Sequence, residues 1–320
     1  MEQQLLISDL ATDTLKGLSS NPKYLHSKYF YDDAGTIIFQ DIMRMKEYYL
    51  TDCELEIFSE QKDDLLKALN NDGNHFNLVE LGSGDGLKTK LLLSYFFNKD
   101  ANFQYSPIDI SQKANNELAE SLNSEIPGLQ VTPKTGDYFH ELQKINSNDG
   151  TPKVIFFLGS NIGNFSLEET HDFLRHLSNY TNQEDKVLIG FDLKKSPDVI
   201  LKAYNDPHGH TRRFTFNLLH RLNKELGADF DPQNFIHHCT YNPESGTLKS
   251  YLVATKEHKV RIEALEQVFH FGKWESIFME TSRKFDFDFI DQLAAEHGFQ
   301  PVKNFTDKRG YFVDSLWEKR

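Results

Sequence analysis

The chain has 320 residues, 26% charged and 38% hydrophobic, an ordinary globular composition with room for one large or two modest domains. Its formal net charge is −13, and its only basic clusters are short pairs such as Lys194-Lys195 and Arg212-Arg213, which disfavours a nucleic-acid partner. Two cysteines, Cys53 and Cys239, make no disulfide framework or metal motif. No apolar run approaches the ~18 residues of a membrane span, and the first residues lack a signal-peptide pattern. The expectation is a cytoplasmic monomer with no membrane partner and no metal.

Residues 1–22 read as a short helix and a turn at Ser19 to Pro22. The aromatic-rich segment from Tyr24 to Thr51 follows. Its Ile37, Ile38, Ile42 and Met45 recur at helical spacing and belong to a core. Tyr31 and Tyr48 carry hydroxyls that need partners if buried, which leaves both a ligand role and a core role open. Glu54 to Leu69 reads as a helix leading into a strand.

That strand opens the most informative stretch, Asn77 to Ser94. A mostly apolar run ends in Gly82, Gly84 and Gly86, and an amphipathic run follows at once. Glycines there permit a tight turn and a close ligand approach, and the next helix offers unpaired N–H groups. The spacing differs from the G-x-G-x-x-G of dinucleotide sites. Glu80-x-Gly82-x-Gly84-x-Gly86 resembles instead the first motif of class I S-adenosylmethionine-dependent methyltransferases.

Asp109, near the end of the next strand, can accept both hydroxyls of a ribose. Asp137, in Gly136-Asp137-Tyr138, suits either an adenine amino group or a helix N-cap. From Phe76 to Leu193 the pattern alternates. Strands are expected at Asn77–Gly82, Phe103–Asp109, Leu129–Thr132, Val154–Gly159 and Lys186–Asp192, with helices between them. Such alternation predicts a parallel sheet covered on both faces, with a ligand at its carboxyl edge. After the fourth strand comes Gly159-Ser-Asn-Ile-Gly-Asn164, without the Pro-Pro motif of base and glutamine methyltransferases.

From Lys195 the alternation stops. Val199–Tyr204 and Thr215–Glu225 read as helices, and Thr247–Thr255, Lys259–Ile262 and Ser276–Phe285 as strands of an inserted mixed sheet. His208, His210 and His237-His238-Cys239 have no tetrahedral metal spacing and read as exposed loop histidines. Asp286–Glu296 returns to a helix, and a terminal antiparallel pair closes the chain. The predicted class is α/β: a class I, Rossmann-like methyltransferase with a seven-stranded, mostly parallel sheet plus an α+β substrate-binding domain. The expected S-adenosylmethionine-binding domain covers 55–194 and 285–320, and the substrate-binding domain 1–54 and 195–284.

Several segments together resemble the L-histidine Nα-methyltransferases of ergothioneine biosynthesis. They include Tyr29-Phe-Tyr-Asp-Asp-Ala-Gly35, Glu47-Tyr-Tyr-Leu-Thr51, Glu80-Leu-Gly-Ser-Gly84, Leu158-Gly-Ser-Asn-Ile-Gly-Asn164, Phe216-Asn217 and Glu280-Thr-Ser282. The resemblance implies that Tyr31, Gly82, Lys88, Asp109, Asp137 and Tyr138 hold S-adenosylmethionine. It implies that Tyr48, Gly159, Asn164 and Tyr204 grip the amino acid's ammonium and carboxylate, with Asn164 and Tyr48 orienting the amine. Glu280 and Ser282 would bind the imidazole; their alternation along a strand puts both on one face. Ser250 departs from the pattern, standing where the family tends to carry methionine. The reaction implied is methylation of the α-amine of histidine to trimethylhistidine (hercynine). The competing readings are a methyltransferase for another amino acid such as tryptophan, and a non-catalytic S-adenosylmethionine- or nucleoside-binding protein.

Overall fold

The computed structural model describes residues 2–69, 73–146 and 150–320. The chain divides into two compact units, residues 1–49 with 195–283 and residues 50–194 with 284–320.

The second unit is built on a seven-stranded sheet. Five strands are parallel: β2 (Phe76–Leu81), β3 (Phe103–Asp109), β4 (Lys134–Thr135), β5 (Lys153–Phe157) and β6 (Lys186–Asp192). Two C-terminal strands, β12 (Phe299–Thr306) and β13 (Phe312–Lys319), add antiparallel, giving the order β12-β13-β6-β5-β2-β3-β4. The chain runs outward from β2 to β3 and β4, then returns to β5 on the other side of β2. That reversal leaves a crevice at the carboxyl ends of β2 and β5, where open α/β sheets bind ligands.

Helices α5 (Thr89–Asn98), α6 (Gln112–Glu125), α7 (Tyr138–Asn146) and α8 (Leu167–Asn179) make the crossovers, and α11 (Phe287–Glu296) precedes β12. Every residue of β5 is buried, as a strand covered on both faces requires. Phe157, Phe173, Leu177, Phe191, Leu293 and Trp317 belong to one core cluster of the unit. In the same unit the Lys284 ammonium meets the Asp192 carboxylate at 2.7 Å, both side chains 0% exposed.

Two expectations here need correction. The Glu54–Leu69 helix is two helices, α3 (Tyr49–Glu60) and α4 (Lys62–Leu69), interrupted at Gln61. The Leu129–Thr132 strand makes only a bridge from Val131 to Tyr105, and β4 lies beyond it at Lys134–Thr135. Pro133 stands between and has no N–H to continue the ladder.

The strands of the first unit are β1 (Lys23–Tyr24), β7 (Phe235–Asn242), β8 (Thr247–Ala254), β9 (His258–Ile262), β10 (Gln267–Phe271) and β11 (Ser276–Arg283). This unit has a four-stranded sheet in the order β1-β11-β8-β7 and a β9–β10 hairpin. Its helices are α1 (Glu2–Ser19), α2 (Asp33–Arg44), α9 (Pro197–Tyr204) and α10 (His210–Leu226). Residues on α10, such as Phe214, Leu218 and Leu222, join Phe30, Ile42, Leu252 and Ile277 in this unit's core. No described helix is long and apolar enough to cross a membrane.

Two of the segments that carry the resemblance, Tyr29–Gly35 and Phe216-Asn217, act together in holding this unit. Asp32 caps α2 by accepting from the Gly35 N–H at 2.7 Å, and it also accepts from Asn217 Nδ2 at 2.7 Å. A Cβ on Gly35 would fall 1.8 Å from the Phe30 carbonyl oxygen, so only glycine fits.

Candidate active site

At the carboxyl end of β2, Gly82 (φ +73°), Gly84 (φ +55°) and Gly86 (φ +66°) all take left-handed backbone. A Cβ on Gly82 would fall 2.7 Å from the Tyr138 hydroxyl, so turn and ring interlock. Glu80, which precedes the turn, is a structural residue. It is buried, accepts a 2.7 Å hydrogen bond from Thr89 Oγ1 and a short one from the Tyr105 hydroxyl, and so ties β2 to β3 and α5. Burial pushes its carboxyl up to about 7, despite the opposing effects of those two donors and of Lys88.

Asp109 ends β3 and accepts from the Ser111 N–H at 2.9 Å. Asp137 Oδ1 accepts from the Phe139 and His140 N–H groups at 3.0 and 3.1 Å, capping α7. Tyr138, the first residue of α7, has its hydroxyl pushed up to about 12 by burial and then by the Asp109 and Asp137 carboxylates. Gly82, Asp109, Asp137 and Tyr138 are thus neighbours.

Beyond β5 the chain bends sharply through Gly159 (φ +74°) and Ser160 (φ +58°) into a single 3-10 turn, Asn161–Asn164. Ser160 is a non-glycine residue in left-handed backbone, held by accepting from the buried Asp192 N–H at 2.9 Å. The Gly159 N–H donates to Glu54 Oε1 at 2.8 Å. Glu54 also pairs with Lys88, whose ammonium lies 3.1 Å from where a Gly159 Cβ would be. Burial disfavours charge on Lys88, but Glu54, with Asp314 and Glu80 adding to it, raises the ammonium's pKa. Lys88 therefore supports the β5 turn through Glu54. Ser166, two residues after Asn164, opens α8 with a reciprocal capping box to Glu169.

In the first unit the Tyr204 hydroxyl and Ser282 Oγ share a buried 2.8 Å hydrogen bond. The Tyr48 ring lies edge-on to Tyr204, with centroids 6.2 Å apart, and edge-on to Phe39. Tyr31, 44% exposed, packs edge-on against Phe39 and Phe214, so it belongs to the same aromatic group as Tyr48. On β11, Glu280 stands opposite Ser250 of β8, which stands opposite Cys239 of β7. This row runs straight across three strands.

Two residues of that sheet face, His237 and Cys239, are not legible in the sequence. His237 and Cys239 were expected as exposed loop residues, but both lie on β7. His237 Nε2 is 2.8 Å from Ser250 Oγ, and the Cys239 thiol donates to the Tyr204 carbonyl at 3.3 Å. Burial lowers the His237 imidazole to about 4, against a smaller opposing pull from Asp206, so it is neutral at physiological pH. His210 also leaves the loop class, opening α10. The signal available in the sequence was weak: His237 and Cys239 alternate, as strand residues on one face do.

A sheet in this order, with a glycine turn after its first strand and an acid ending the next, defines a class I S-adenosylmethionine-dependent methyltransferase. Sequence comparison narrows the class. A family model described as "Histidine-specific methyltransferase, SAM-dependent" matches residues 10–319, and the chain belongs to that family. It is 33% identical to a histidine N-alpha-methyltransferase of Mycobacterium tuberculosis, over 97% of this chain and 95% of that one. It is also 33% identical to the protein of the same name from Mycolicibacterium smegmatis, over 96% and 94%. Ergothioneine biosynthesis protein 1 of Schizosaccharomyces pombe is 29% identical over 88% of this chain and 37% of its own length.

Proposed function

We propose that the chain methylates the α-amine of L-histidine, using S-adenosylmethionine, and carries it to trimethylhistidine, as ergothioneine biosynthesis requires. Family membership over residues 10–319 supports the substrate class, and Ser282, on the Glu280 strand and hydrogen-bonded to the Tyr204 hydroxyl at the end of α9, supports the ring assignment.

The residues at the carboxyl edge of the sheet fit the donor. Gly82 leaves space that any Cβ would fill, and Asp109 ends β3 where a ribose-binding acid belongs. Gly82, Asp109, Asp137 and Tyr138 would hold the nucleoside, with Lys88 bracing the Gly159 turn; Tyr31 is assigned with them as an aromatic contact. S-adenosylmethionine, when bound, supplies a methyl group on a positively charged sulfonium.

Tyr48, Gly159, Asn164 and Tyr204 would hold the amino acid's ammonium and carboxylate. The Tyr48 hydroxyl and the Asn164 amide orient the amine once it is unprotonated, so that its lone pair is held in one direction. Glu280 accepts the ring N–H, while Ser282, accepting from Tyr204, donates to the other ring nitrogen. Tyr48, Tyr204 and Phe39 present ring faces and edges around an amine that becomes a fixed cation as methyl groups accumulate. Ser250, tied to His237, makes the position opposite Glu280 polar, which suits an imidazole better than an indole.

Glu280→Ala tests the ring assignment. A hydrogen bond to a carboxylate contributes about 1.5–3 kcal/mol, so kcat/KM for histidine should fall roughly 10- to 100-fold while donor affinity stays put. An unchanged kcat/KM would refute the role given to Glu280.

A further inference from the structure

In the second unit, α8 and α11 share one core cluster: Phe173, Leu174 and Leu177 come from one helix, Ile290, Leu293 and Ala294 from the other. His171, near the start of α8, and His297, the C-cap of α11, bring their rings together. His171 Nδ1 lies 2.9 Å from His297 Nε2, and Glu296 Oε2 lies 3.8 Å from the same His171 nitrogen. The three ligand atoms lie within 4.8 Å of one another. His171 and Glu296 are 37% and 44% exposed, so a hydrated ion has access.

We propose that His171, Glu296 and His297 form a binding site for a late first-row divalent metal ion, of which Zn2+ is the representative. Two imidazole nitrogens and one carboxylate oxygen are the donor set such ions prefer, with solvent able to complete a fourth position. Tetrahedral bonds of ~2.0–2.1 Å separate ligand atoms by ~3.3 Å, so the nitrogens need part by only a few tenths of an ångström. Gln292 Nε2 donates to Glu296 Oε1 at 2.7 Å, which fixes the carboxylate and leaves Oε2 toward His171. The C-terminal carbonyls of α11 add negative potential beside the ion. The surroundings also lower the pKa of the His297 imidazole. Burial disfavours its charge first, then the neighbouring His171 and Arg175, against a pull from Glu296.

Bound there, the ion would staple α8 to α11 and stabilise the second unit. It would be structural, since His171, Glu296 and His297 are absent from the residues assigned to donor or acceptor. The chain's spacing gave no sign of this site, because its ligands come from helices far apart in sequence.

The test uses the whole chain, dialysed against chelator and titrated with Zn2+ and separately with Co2+. Thirteen histidines make weak secondary uptake possible, so the readout is a difference between proteins. The wild-type chain should bind one more equivalent of Zn2+ than His171→Ala/His297→Ala. It should also gain about 5 °C in melting temperature at ~100-fold excess over Kd, and the variant should not. Co2+ should develop the intense visible bands of a low-symmetry four-coordinate site in the wild type only. His171→Asn and Glu296→Gln, milder changes, should each weaken binding at least tenfold with the metal-free melting temperature unchanged. Equal stoichiometry and an equal melting shift in wild type and double variant would overturn the site.

Discussion

Gly82→Ala is the change whose effect the structure defines most closely. The new residue would have to hold φ +73°, a conformation that costs an L-residue about 1–2 kcal/mol. Its Cβ would also sit 2.7 Å from the Tyr138 hydroxyl oxygen, well inside a normal 3.5–4.0 Å contact. Moving that ring adds an overpacking cost of about 1–3 kcal/mol. The two contributions separate cleanly. Gly84 has φ +55° and open space around its missing Cβ, so Gly84→Ala carries only the backbone term. In a Tyr138→Phe background the nearest atom to the new Cβ is the ring carbon at 3.6 Å, an ordinary contact, so Gly82→Ala there should carry only that term too. Urea denaturation of the four proteins in a double-mutant cycle should give a coupling of about 1–3 kcal/mol. S-adenosylmethionine affinity should drop most in Gly82→Ala, where Tyr138 is pushed from its place beside Asp109 and Asp137. Additivity within about 0.5 kcal/mol would refute the interlock of turn and ring.

Asp192→Ala strands the fully buried Lys284 ammonium and should destabilise the chain by about 3–5 kcal/mol in urea, whereas Asp192→Leu with Lys284→Met should recover much of it. His237 makes a pH prediction. Its folded pKa of about 4 lies below the ~6.5 of the unfolded chain, so the unfolded state takes the proton first and stability falls between pH 6.5 and 4. His237→Asn removes that term, and the wild type should lose roughly 2–4 kcal/mol relative to it across the window; parallel curves would contradict a buried neutral imidazole.

The methyltransferase sheet was legible because parallel strands buried on both faces are short apolar runs, and Phe103–Asp109 and Lys186–Asp192 read true to the residue. The glycine turn was legible because only glycine suits three left-handed positions in five residues. What failed was tied to polar strand interiors and single residues. β7 was invisible since His237 and Cys239 occupy the half-buried positions where alternation calls for apolar side chains. Pro133 displaced β4, and the motif around Glu80 does not disclose its buried partners, Thr89 and Tyr105. Lys88 could not be connected to Glu54, 34 residues earlier, without the fold.

The most direct measurement is incubation of the chain with S-adenosylmethionine and a panel of amino acids that includes histidine, tryptophan and tyrosine. Mass spectrometry then reads the added methyl groups, and fragmentation locates them. Histidine should be the favoured acceptor, its methyl groups accumulating to three, all on the α-nitrogen. Methylated tryptophan with untouched histidine, or methyl groups on the imidazole ring, would contradict it.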